Sequence, residues 1–166
     1  MIDQFSVSLV TALVVLVCAV LFIFDTLLRR PEQSGRFWAV GFLCAVLTTL
    51  FYVVWASAPE TAWAVVCGNT ASVVGTGLMW LGCRAYNRRS VRGPGALVAV
   101  AGLAAAAAAS IELAAGGNDW SGSLVMFAAL GVVGAAASVE CFRGALGASR
   151  TALVARLGSR LAGMHE

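Results

Sequence analysis

The chain has 166 residues, of which 60% are hydrophobic and 11% charged, and its mean hydropathy is +0.89. Soluble domains average about a quarter charged residues, so this composition excludes that class and points to an integral membrane protein. The net charge of +3 rests on eleven arginines and no lysine, and these mark loop ends rather than a basic face, which excludes nucleic-acid binding.

The first apolar run, 5–28, is too long for the ~7–15-residue hydrophobic core of a signal peptide. No Lys or Arg precedes it within Met1–Ser8, so it reads as a retained spanning helix. Asp25, near its end, is placed to pair with Arg29 at i+4. The connection RRPEQSGR (29–36) carries Arg29, Arg30 and Arg36, and a second apolar run follows at 37–57. After the arginine-free turn SAPET (57–61) comes a third run at 62–83.

In this third span Gly68, Ser72 and Thr76 recur every fourth residue beside a second row, Ala71 and Gly75, so one helix face is nearly flat. Small residues in such rows let helices approach closely in lipid, where packing replaces the hydrophobic drive. Two readings follow: a packing face, with Gly102, Ala106 and Ser110 of the fourth span as counterpart, or the lining of a ligand pocket. Asn69 supports the second, because an amide inside a span requires a partner, and Glu112 lies at similar depth on the fourth span. Asn69, Glu112 and Thr76 are therefore the ligand-sensing candidates, with Asn69 and Glu112 as candidate partners of each other.

The connection RAYNRRSVRGPG (84–95) carries Arg84, Arg88, Arg89 and Arg92, and the fourth run spans 95–115, including six consecutive alanines at 104–109. GGNDW (116–120) leads to a fifth run at 121–142, where Glu140 is placed to pair with Arg143 at i+3. Every arginine falls in the first connection, the third connection or the segment after the fifth run. Loop arginines face the cytoplasm, so Arg29, Arg30, Arg84, Arg88, Arg89 and Arg92 are read as cytoplasmic anchors, with the N-terminus outside and the C-terminus inside. Trp55, Trp63 and Trp120 fall at expected outer boundaries, and Trp38 and Trp80 at inner ones. The predicted fold is an all-α, five-helix membrane bundle over 1–143.

Residues 144–166 are amphipathic. Val154, Leu157, Leu161 and Met164 are spaced 3, 4, 3, like a short coiled-coil seam, while Arg150, Arg156 and Arg160 lie largely off that stripe. The segment reads as a dimeric signalling linker towards a further domain, as a helix lying on anionic lipid, or as a frayed tail. Cys18, Cys44, Cys67, Cys83 and Cys141 lie in apolar runs without a CxxC pair, and read as small hydrophobes. The single histidine is the penultimate residue. Neither a catalytic constellation nor a metal or cofactor site is legible, so no enzymatic activity is expected of these residues themselves.

The stretch AVVCGNTASVVGTGLMWLGCRAYNRR, Ala64 to Arg89, resembles one helix of the multi-span N-terminal regions of bacterial GGDEF proteins, the membrane-bound diguanylate cyclases. Gly68-Asn69 matches their early Gly-Asn pair, and Gly82 to Asn87 their Gly-x-Arg-x-(Phe/Tyr)-Asn ending at the cytoplasmic face. The ending LAGMHE is similar to the linker into a GGDEF domain, and the Ala/Gly/Arg bias resembles proteins of high-GC actinobacteria. The resemblance implies the membrane input half of a cyclase in a bacterial plasma membrane, sensing an unknown small ligand, acting as a homodimer and controlling cyclic di-GMP synthesis by a following domain. No GGDEF signature lies within these residues, so the family's cyclase residues have no counterpart here. The alternative is a small permease or a structural subunit of a membrane complex.

Overall fold

The computed structural model describes residues 32–58, 60–117 and 120–143 and, between 10 and 24, all but 12, 15 and 22. Arg29, Arg30, Asp25 and the linker residues Val154, Leu157, Leu161 and Met164 lie outside the described residues. The positions described between 10 and 24 are helical and form α1. Four further helices follow: α2 (Gln33–Ser57), α3 (Trp63–Tyr86), α4 (Arg92–Ala114) and α5 (Ser123–Phe142). All regular structure among the described residues is helical, and α2 to α5 are each long and apolar enough to cross a membrane.

The helix ends differ from the sequence reading in a consistent way. Helix α2 starts at Gln33 rather than 37, α3 runs to Tyr86 rather than 83, and α4 starts at Arg92 rather than 95. Hydropathy marks the edge of the apolar zone, whereas backbone hydrogen bonding continues through polar residues beyond it. Pro94 sits within the first turn of α4, where its missing N–H breaks no helical bond. At the far end of α3, Arg88 adopts φ 56°, its N–H reaching the Ala85 carbonyl (3.0 Å) and that of Arg89 the Arg84 carbonyl (2.9 Å). This is a Schellman cap with arginine where glycine is usual. It turns Arg89 back towards the bundle.

Helix α3 is the hub, packing on α2, α4 and α5. Half of its most apolar window is buried, against 11–22% for the other three spanning helices, and it is also the least apolar, with hydropathy 1.4 against 2.0–2.2. A helix surrounded by protein needs less lipid-like surface, so its small and polar residues find partners in place of lipid. The interior has two centres: Trp80, Leu81, Val98 and Val133 near one end, and Val73, Ala105 and Met126 near the other.

The flat face of α3 meets α2 rather than α4. A Cβ on Gly75 would lie 2.8 Å from the Cys44 Cβ and 3.1 Å from the Gly41 carbonyl oxygen, so the two backbones touch there. Gly102 does face α3, against Val74, but the buried stripe of α4 continues through Ala105 and Ala109. Ala106 is half-buried, and Ser110 is exposed with its hydroxyl donating to the Ala106 carbonyl (2.8 Å). The expected Gly102–Ala106–Ser110 counterpart is therefore rotated off the contact.

Candidate functional site

Asn69 is 3% exposed and ties three elements together. The Tyr52 hydroxyl of α2 donates to Asn69 Oδ1 at 2.6 Å, and Asn69 Nδ2 donates to the Ser121 carbonyl, just before α5, at 3.0 Å. Gly68 lets this happen, since the Tyr52 ring lies where a side chain would begin, 3.2 Å from an ideal Cβ. The Gly-Asn pair thus has one function in two parts: glycine admits the ring and asparagine accepts its hydroxyl. Beside the pair is a cavity of about 550 Å³, with Asn69, Ser72 and Ser123 as polar groups and Trp55, Met126 and Phe127 among its apolar ones.

Glu112 does not join Asn69. It is exposed, and its Oε2 accepts the backbone N–H of Gly122 at 2.7 Å, the left-handed N-cap residue of α5 (φ 75°). A carboxylate there meets an unpaired amide and the positive end of the α5 dipole. Asn69 instead bonds Tyr52 and Ser121, which leaves Glu112 the role of a cap supplied by α4. Thr76 donates to the Ser72 carbonyl (2.9 Å) and lines a separate, smaller groove of about 230 Å³ between α2 and α3, so it is not part of the Asn69 cavity.

The opposite end is built on Glu140, 3% exposed. Its Oε1 accepts from Arg84 at 2.6 Å and from Arg89 at 3.3 Å, while Asn87 Nδ2 donates to the Glu140 carbonyl at 2.9 Å and to Oε2 at 3.3 Å. Arg84 also donates to the Ser90 carbonyl (3.1 Å) and lies 5.7 Å from the centre of the Trp80 ring. The expected Glu140–Arg143 pair is replaced by these bonds from α3 and its cap. A buried carboxylate requires such close compensation, and an exposed i+3 neighbour on its own helix cannot supply it. Arg84 and Arg89, read as surface anchors, are thus partners of an interior charge, Arg89 from an exposed position like those of Arg88, Arg92 and Arg143.

Trp38 and Trp80 were expected at the interface. Trp80 is 8% exposed within the core, and its Nε1 lacks a hydrogen-bond partner. Trp38 lies across Gly82, donates to the Met79 carbonyl (3.1 Å) and stacks on Tyr86, with ring centres 6.2 Å apart. Each matched position from Gly82 to Asn87 thereby gains a physical role: glycine seats Trp38, Arg84 and Asn87 hold Glu140, and Tyr86 stacks on Trp38. Cys83 and Cys141 come within 4.0 Å, Sγ to Sγ, as free thiols beside this cluster.

The sequence reading missed Tyr52, Ser121 and Asn87 as partners. The signal for Tyr52 was present, because a phenol inside a span needs an acceptor. Among the described residues, no three His, Cys, Asp or Glu side chains gather as a metal site. No protein-family model, curated protein or solved structure matches this chain.

Proposed function

We propose that this chain is the sensing and anchoring half of a signalling protein in a bacterial plasma membrane. In this reading, occupancy or packing at the Asn69 cavity is passed along α3 and α5 to the segment after Phe142. The observation that carries it is that the same two parallel helices supply both polar sites. Asn69 and Arg84 are both on α3, fifteen residues or about 22 Å apart at ~1.5 Å per residue. Ser121, just before α5, and Met126 in its first turn border the cavity, and Glu140 near its end holds Arg84. Packed helices switch between discrete arrangements, so a ligand preferring one packing at the cavity biases the other end.

The arginine distribution supports a cytoplasmic Glu140 end and an external Asn69 end. Output then leaves through residues 144–166, whose 3-4-3 spacing suits a homodimeric linker. The likeness of Ala64–Arg89 to GGDEF input regions makes cyclic di-GMP synthesis the proposed output. The test is cyclic di-GMP production by membranes carrying the protein as encoded, with Asn69→Leu and Tyr52→Phe compared at matched membrane levels. Synthesis is expected, at a rate changed in both variants. Absence of synthesis rejects the cyclase assignment, and an unchanged rate rejects the cavity as input.

A further inference from the structure

We infer that the Asn69 cavity binds a neutral, ring-bearing small molecule that presents a carbonyl oxygen to Asn69 and Ser72. This rests on the reading of the cavity as the input site and adds the chemistry of what enters it. A volume of about 550 Å³ lies within the ~300–1,000 Å³ range of small-molecule pockets. None of the lining side chains is charged, so an ionic ligand would enter without compensation. Trp55, Trp120 and Phe127 offer ring faces and edges, and Met126 a polarisable thioether, which together favour a flat unsaturated ligand. Trp120 and Phe127 are 68% and 56% exposed, so the cavity opens at the bundle surface near the end of the span.

The hydrogen-bond inventory selects the polar group. The Tyr52 hydroxyl hydrogen goes to Asn69 Oδ1 at 2.6 Å, with Met126 Sδ also within reach at 3.6 Å, so the Asn69 carbonyl already accepts one bond. Of the two amide hydrogens on Asn69, one goes to the Ser121 carbonyl, leaving a second to donate. Ser72 is unusual among the hydroxyls of these helices: Thr70, Thr76, Ser110 and Ser138 each donate to the carbonyl four residues back. The carbonyl that Ser72 would use, that of Gly68, is approached by Thr48 (3.5 Å), and Ser72 lines the cavity. The remaining Asn69 N–H can only donate, whereas the hydroxyls of Ser72 and Ser123 can donate or accept. A ligand carbonyl oxygen meets that one group of fixed polarity and lets Ser72 donate beside it, whereas a purely apolar ring system leaves the amide hydrogen unmet.

The test uses the full chain in lipid nanodiscs with benzophenone, itself a neutral two-ring ketone that cross-links to neighbouring C–H groups on irradiation. Adducts located by peptide mass spectrometry are expected on the segments holding Trp55, Met126, Phe127 and Leu130. Excess fluorenone should suppress them, and fluorene, with a methylene in place of the carbonyl, should not. Ser72→Ala should weaken labelling affinity roughly fivefold by removing one donor. Leu130→Trp, which fills the cavity without touching the Asn69 network, should abolish the labelling.

Adducts spread over lipid-facing positions such as Leu97, Leu103 and Ile111, at a yield unaffected by Leu130→Trp, would overturn the site. Equal suppression by fluorene would overturn the carbonyl preference. Because labelling is read without any enzymatic output, failure of the ligand class is distinguishable from failure of the signalling reading, which the cyclic di-GMP measurement decides.

Discussion

Gly82 acts through the side chain it lacks. Trp38 occupies the space beside it, and a Cβ there would strike the indole ring. Gly82→Ala is expected to cost about 1–3 kcal/mol by overpacking, measured as unfolding of the bundle in bicelles. Gly131 faces open space and provides the control, with Gly131→Ala expected to be neutral or to stabilise by about 0.5–1 kcal/mol through helix propensity. Equal effects at the two sites would contradict the Trp38 packing. At the other end, Tyr52→Phe removes the bond to Asn69, and hydrogen bonds between membrane helices average about 0.6 kcal/mol. Arg84→Met leaves Glu140 with weaker partners and is expected to cost about 3 kcal/mol, part of which Glu140→Gln in the same chain should restore. A double-mutant cycle between Arg84 and Glu140 measures that coupling directly. Additive effects would mean that the pair carries little.

The four spanning-length helices α2 to α5 and their approximate positions were legible because about 20 residues are needed to cross a ~30 Å hydrocarbon core, and hydropathy reports that length directly. What each helix faces was less legible. In α4 the run Ala104–Ala109 has no contrast in polarity, so the periodicity that marks a buried face is absent. The buried set is Val98, Gly102, Ala105 and Ala109, one register away from the Gly102–Ala106–Ser110 row. Ala109→Leu should accordingly destabilise the bundle, since Ala109 is fully buried against Gly122, whereas Ala107→Leu on the exposed face should not. Thermal unfolding of the two variants distinguishes them, and the reverse order would contradict this packing. Of the candidate site residues, Asn69 was legible because an amide in a span is costly alone. Its partners were not, because Tyr52 is seventeen residues distant and Ser121 contributes only a backbone carbonyl. Glu140 was read with its nearest arginine in sequence, yet its partners are more than fifty residues away. Spacing along one helix does not reveal contacts made between helices.

At the scale of the whole molecule, α3 connects α2, α4 and α5: its first half holds α2 and the start of α5 through Asn69, and its last turn holds the end of α5 through Arg84. The proposed orientation has a direct check in alkaline phosphatase fusions, which are expected to be active after Glu60 or Gly117 and inactive after Ser90 or Arg143. The opposite pattern would invert the bundle and place the cavity on the cytoplasmic side. The central claim is that cavity and ion cluster belong to one mechanical unit. It is tested most directly by a double-mutant cycle read in the cyclic di-GMP output of the protein as encoded, combining Leu130→Trp with Arg84→Met at matched membrane levels. Filling the cavity is expected to change output while Arg84 holds Glu140, and to have no effect once that link is cut. The same change in both backgrounds would contradict it.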